Sequence, residues 1–223
     1  MAMSTSTTQA STLSWLVLNS SHTTATELKA ELKGEMASLS IIYHIEVAGF
    51  KALLVCKGIA LLGAFFVANG NVGAGMKILQ SACIVQNSKE EELKCTVKTT
   101  GASAGTIETN ELKGELVLVG SELLTRIEPI SGPTGTIATI RFEGEACVLP
   151  ELNQLHGTLY LKDSEGFATT HKVKHLFESS AASTALYVGG HSAKQLEITK
   201  ILGGIWISLG SGHVGLPWSG MDV

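Results

Sequence analysis

Leu39-Ser40-Ile41-Ile42-Tyr43-His44-Ile45-Glu46-Val47 places an apolar side chain at every second position, with Ser40, His44 and Glu46 between them and only Ile42 out of step. A period of two sends alternate side chains to opposite faces of an extended chain, as in a half-buried β-strand. The same alternation recurs where Leu93, Cys95 and Val97 intercalate with Lys94, Thr96 and Lys98. It recurs again where Leu155, Leu159 and Leu161 alternate with His156, Thr158, Tyr160 and Lys162. Continuous apolar runs at 52–56 and 59–67 read as strands buried on both faces. Turn signals separate these segments: Asn69-Gly70-Asn71, Gly132-Pro133, Gly144, Ser164-Glu165-Gly166 and Gly189-Gly190. Short strands punctuated in this way predict an all-β fold, an antiparallel sandwich or a barrel-like domain. At most one short helix fits, over 26–37, where Leu28, Leu32 and Met36 recur at spacing four. Gly34 weakens it, and the same residues also satisfy alternation.

The 223 residues suit one all-β domain with a sizeable core. Charged residues make up 16%, against about 25% in a typical soluble domain, and mean hydropathy is positive. Disorder needs the opposite balance. Two readings of the low charge stay open: apolar surface covered by a partner, or a surface of Gly, Ser and Thr. The net charge of −4 and the scattered Lys and Arg lack the basic stripe that nucleic acid requires. Lys89-Glu90-Glu91-Glu92 reads as a solvated turn. Lys57-Gly58 interrupts the apolar stretch 53–68. About ten continuous apolar residues remain, short of the roughly 18–20 that a membrane-spanning helix needs.

Cys56, Cys83, Cys95 and Cys147 permit three pairings and show no C-x-x-C spacing. Cys83 and Cys95 flank the polar segment 86–92, which reads as the connection of a hairpin. A Cys83–Cys95 bond across its arms, with Cys56–Cys147 joining distant strands, is the expected arrangement. Four buried thiols are the alternative. The even count favours disulfides and an extracellular or cell-surface location. Residues 1–14, rich in Ser, Thr and Ala, have neither the basic nor the apolar region of a secretory signal. Either the chain is not exported or the sequence is a processed form.

The expected organisation is an N-terminal arm at 1–14, a β-rich domain at 15–220 and a tail at 221–223. Glu31-Leu32-Lys33-Gly34-Glu35 recurs as Glu111-Leu112-Lys113-Gly114-Glu115, which suggests duplicated halves at 15–100 and 101–220. Five residues are also few enough for coincidence.

Several segments share a further pattern: Trp15-Leu16, Gly105-Thr106-Ile107-Glu108-Thr109-Asn110 with Gly114, Thr125-Arg126-Ile127-Glu128-Pro129, Gly157-Thr158-Leu159-Tyr160-Leu161-Lys162-Asp163 and Gly215-Leu216-Pro217-Trp218-Ser219-Gly220. The set resembles a group of Cys-containing, secreted, β-rich bacterial proteins with no established activity, and it runs from Trp15 to Gly220. The resemblance implies export and disulfides. It carries over no functional residue.

Candidate chemistry is sparse. His171 and His175 would share a face of a helix and chelate one metal. The segment reads as a strand, however, where residues four apart sit about 13 Å from each other at roughly 3.3 Å per residue. With Lys172 and Lys174 beside them, a solvated strand face is the expectation and a metal site is not. Leu209-Gly210-Ser211-Gly212-His213 lacks the G-x-S-x-G order of a nucleophile elbow and reads as a turn. Glu143 and Glu145, and the cluster 90–92, offer carboxylate pairs of the kind glycosidases use, but any chain with 20 acidic residues does. Gly70-Asn71-Val72-Gly73-Ala74-Gly75 lacks the dinucleotide fingerprint. Trp15, Trp206 and Trp218 lie near the chain ends, so either they meet in the core or the tails 1–14 and 212–223 are arms that reach neighbouring subunits.

The expectation is therefore a non-enzymatic protein without metal or cofactor. It would be a structural subunit of a secreted or surface-associated assembly, a filament, tube or shell of copies of itself. Strand edges and tails would hold the copies together. The alternative is a secreted β-sandwich binding module for a glycan or protein.

Overall fold

Alternation at 39–47 becomes a strand because every inward position carries a side chain that only a protein interior accepts: Ile41, Ile45 and Val47 are buried, while Ile42, His44 and Glu46 are half-buried. The computed structural model describes residues 13–21, 25–27, 30–162, 166–175, 185–189 and 196–222. In chain order its strands are β1 (Leu13–Leu18), β2 (Ala25–Glu27), β3 (Ala30–Met36), β4 (Ile41–Val47), β5 (Phe50–Cys56), β6 (Gly58–Leu62), β7 (Phe65–Val67), β8 (Asn71–Ser81), β9 (Ile84–Asn87) and β10 (Thr96–Thr99). They continue with β11 (Ile107–Glu108), β12 (Leu112–Val119), β13 (Glu122–Pro129), β14 (Thr136–Glu143), β15 (Leu152–Lys162), β16 (Thr170–His175), β17 (Ala185–Gly189), β18 (Leu196–Leu202), β19 (Ile205–Leu209) and β20 (Trp218–Asp222). Among the described residues there is no helix, so none is long and apolar enough to cross a membrane.

Every ladder between these strands is antiparallel, in three sheets. The first joins the two ends of the chain in the order β2-β1-β20, with Trp15 opposite Gly220. A second has four strands, β18-β4-β5-β9. The large sheet runs β10-β14-β15-β13-β12-β8-β7-β3-β19-β16, with β6, β11 and β17 attached to its flanks. Its far strand β16 touches back on β15 at Leu161↔His175 and Lys162↔Lys174. Contacts of only two residue pairs also hold β7 to β3 and to β8. The sheet thus curls strongly without the even ladders of a closed barrel. Its inner face packs against the four-stranded sheet in the manner of a sandwich.

One large cluster dominates the interior, with a small satellite of Ile41, Ile201 and Ile205 beside it. Ile and Leu from both sheets fill the space between them. At the chain termini Trp15 stacks on Phe66 with ring centroids 4.0 Å apart, and Trp218 meets Phe66 at 4.9 Å and Trp15 at 5.9 Å. Both tryptophans are fully buried.

The segment allowed a helix is extended instead, as β2 and β3. Leu32 is buried and Lys33 exposed, so alternation wins over the spacing of four. Gly34 explains the preference: a Cβ there would lie 2.7 Å from Leu61 Cγ, so this face of β3 is packed against β6. The apolar run 59–67 is two strands and not one doubly buried strand. Gly63, at φ +61°, turns the chain between β6 and β7, leaving Leu62 and Phe65 exposed. The two five-residue repeats fall on strands β3 and β12, on either side of β7 and β8, with Leu32 and Leu112 both buried.

The cysteines form two disulfides, but Cys56 pairs with Cys83 and Cys95 with Cys147. The expected hairpin is present, and Leu93 N–H donates to Val85 O at 2.8 Å. Its return arm then bends, with Cys95 N–H donating to Leu93 O at 2.7 Å. One arm, β9, joins the four-stranded sheet and the other, β10, joins the large sheet, so Cys83 and Cys95 part company. Each cysteine bonds within the sheet it reaches. Cys56 follows Val55, which pairs with Ile84, and so lies opposite Cys83. Cys147 sits in the loop after β14, the partner of β10.

The chain ends also differ from the arm reading. Residues 212–222 fold back, with β20 paired to β1 and Trp218 in the core. Leu13 and Ser14 belong to β1, and 1–12 lie outside the described residues.

Candidate functional site

Two places have the shape of a site. The first is internal. Where the four-stranded sheet meets the large one, the inward side chains of β4, β5 and β18 face those of β8, β14 and β15 across a cavity of about 80 Å³. Isoleucines form nearly half of the wall, including Ile41, Ile45, Ile78, Ile137, Ile140 and Ile198. Branching at Cβ suits these residues to strands and keeps their side chains stiff, so facing walls do not collapse freely into each other. Four polar residues interrupt the wall: Tyr43, Gln80, Thr109 and Asn153. Thr109 Oγ1 accepts from Ile78 N–H at 2.9 Å, and Asn153 Nδ2 donates to Pro150 O at 2.7 Å. Gln80 Nε2 donates to the Tyr43 hydroxyl oxygen. Burial pushes the Tyr43 phenol above its ordinary pKa, and the bond from Gln80 only partly opposes that rise.

The second place is external, on the outward face of β3, β19 and β16. Cross-strand pairing puts Glu35, Trp206 and Lys172 in one row and Lys33, Ser208 and Thr170 in the next. Trp206 is 39% exposed, and Lys172 Nζ lies 5.6 Å from its ring centroid, a cation–π contact. Glu35, Thr170, Trp206 and Ser208 together line a shallow open pocket. Phe65, 46% exposed, pairs with Glu31 four residues earlier on β3, and so shares that face about 13 Å away. Alternation along β19 marks Trp206 as outward between the inward Ile205 and Ile207. That signal was present in the sequence, but an isolated tryptophan reads by default as core.

The candidates from sequence are dispersed. His171 does lie on a strand, β16, but it is wholly buried and not solvated. Its Nε2–H donates to Trp218 O at 2.8 Å and its ring lies 3.7 Å from that indole, so it serves as a polar strut under the C-terminal strand. The side chain of His175 lies outside the described residues. Ser211 and His213 belong to the turn between β19 and β20, where Ser211 N–H donates to Glu31 Oε2 at 3.3 Å. Glu143 pairs with Lys98 at 3.0 Å, and Glu91 accepts from Asn87 Nδ2 at 2.7 Å. Among the described residues no three His, Cys, Asp or Glu side chains gather as a metal-ligand set.

No protein-family model matches this chain, and no curated protein or solved structure matches it.

Proposed function

We propose that the chain is a non-catalytic structural subunit of an extracellular assembly, and that it meets its neighbours through exposed apolar turns. The observation that carries this reading is the pair Leu39 and Leu202. Leu39 lies in the bend after β3 and Leu202 ends β18, and the two segments meet through Ala37 N–H donating to Gly204 O at 2.9 Å. Leu39 is 96% exposed and Leu202 39%. Covering such surface on a neighbour contributes about 25 cal/mol per Å², and two closed disulfides suit an oxidising exterior.

Strand edges are the weaker route to assembly. The outer edge of β9 is occupied by 91–93 and that of β10 by 105–106. The outer strand β18 carries a register shift together with Glu197 and Lys200, features that blunt edge-to-edge pairing. The test is sedimentation velocity and negative-stain microscopy of the native chain beside a Leu39→Glu, Leu202→Glu variant. Native multimers that become monomers in the variant support the reading. A native protein that stays monomeric at high concentration overturns it.

A second reading, a glycan-binding module, rests on the Trp206 pocket. A sugar ring can lay its C–H face on an indole while its hydroxyls bond to a carboxylate and neighbouring side-chain hydroxyls, and Glu35, Ser208 and Thr170 supply these. Retention on insoluble cellulose or chitin that Trp206→Ala abolishes would favour it. Equal retention of both proteins would remove it.

A further inference from the structure

The cavity between the sheets goes beyond the assembly reading and stands independently of it. An interior normally packs as densely as an organic crystal, so atoms lining a void forfeit contacts on one side. Here the void measures about 80 Å³, roughly half of the 150 Å³ that accommodates a benzene ring. By that proportion it leaves room for about three to four non-hydrogen atoms.

The chemistry of the wall restricts the guest. No Lys, Arg, His, Asp or Glu lines it. An ion placed there would lose its hydration with no opposite charge in return. Asn153 Nδ2 already bonds to the backbone. The Thr109 and Tyr43 hydroxyl oxygens each accept one bond, from Ile78 N–H and from Gln80, and neither has an acceptor for its own proton among the described residues. Since burial raises the Tyr43 pKa, its proton stays in place across the neutral and mildly alkaline range. The cavity therefore offers a branched aliphatic wall with hydroxyl donors, that of Tyr43 among them.

We propose that this cavity binds a small neutral aliphatic carbonyl compound or alcohol, its chain among the isoleucines and its oxygen accepting from the Tyr43 hydroxyl. Binding changes no covalent bond.

The test uses the whole oxidised protein with three probes, followed through the methyl resonances of Ile45, Ile140 and Ile198. The probes are acetone, acetate, and xenon, which fills apolar space but accepts no hydrogen bond. The expected result is saturable shifts with acetone and with xenon, and none with acetate. Tyr43→Phe should weaken acetone roughly two- to tenfold, the worth of one hydrogen bond, and leave xenon binding unchanged. Xenon binding also shows that the variant keeps its fold and cavity. No saturable shift with either neutral probe on the native protein overturns the proposal. So does acetate binding as tightly as acetone. Acetone affinity unaltered by Tyr43→Phe, with xenon still bound, overturns it as well. Assembly is read separately by sedimentation, so either idea can fail alone.

Discussion

The two ends of this fold solve one problem by different means. At the junction of the sheets, parts of the chain far apart in sequence are joined by covalent bonds, Cys56–Cys83 and Cys95–Cys147. At the termini, β1 and β20 lie about two hundred residues apart and are joined by a ladder and an aromatic knot of Trp15, Phe66 and Trp218. A disulfide acts mainly by restricting the unfolded chain, whereas the knot acts through burial in the folded one. The knot also bears a cost, since the indole N–H groups of Trp15 and Trp218 are buried without a hydrogen-bond partner among the described residues. The lesson is that burial can outweigh unpaired polar atoms where a covalent brace is absent.

The largest effect should come from the braced region. Replacing all four cysteines by Ala removes loops of separation 27 and 52, and the chain-entropy relation gives about 3.5 and about 4 kcal/mol for them. Equilibrium unfolding in urea, compared with the native protein, should show a loss near that sum. A loss under about 1 kcal/mol, far below the chain-entropy value, would mean that the braces are redundant and the contrast between the ends is false. Peptide mapping without reductant should recover Cys56 linked to Cys83 and Cys95 linked to Cys147. Recovery of Cys83 linked to Cys95 would refute the arrangement.

Trp218→Ala should come next, at about 3–5 kcal/mol for a fully buried aromatic. Because the disulfides sit elsewhere, they should stay closed in this variant, and hydrogen exchange should rise first in β1 and β20. Uniform loosening of all three sheets would show that the ends do not behave as separate regions.

The smallest effect concerns Tyr43, between the two ends. Its phenol titrates higher in the folded protein than in the unfolded chain, where it keeps the ordinary value of 10.0. The folded state therefore holds the proton after the unfolded state has released it. The contribution is complete below about pH 10 and is lost as pH rises toward the folded pKa. Urea midpoints measured from about pH 9 to about pH 11, a window spanning the ordinary phenol value, should fall more steeply for the native protein than for Tyr43→Phe. Parallel slopes would place the phenol in contact with water.

Much of the fold was legible because burial imposes period two wherever a strand has one wet face, as at 41–47. The misreadings occurred where a local pattern met a tertiary decision. Cys83 and Cys95 look like partners along the chain, yet a bend at Leu93 and Cys95 sends their strands to different sheets. Leu39 continues an alternating pattern but falls beyond the last ladder pair, in a turn. His171 sits between polar neighbours, and only the return of Trp218 from the far end of the chain makes its position interior. The cavity could not be foreseen, since its walls come from strands that meet only after both sheets form.

The order of the disulfides along the chain has a consequence for how the protein matures. The expected pairing would have nested one ring inside the other, 83–95 within 56–147. The observed rings lie side by side, 56–83 and then 95–147. Neither has to thread or wait for the other, and closing either leaves the other's span unchanged. Oxidation can start at either end of the exposed 88–91 turn. A single cut in that turn would leave each ring whole on its own fragment, and only sheet pairing and packing would keep the fragments together.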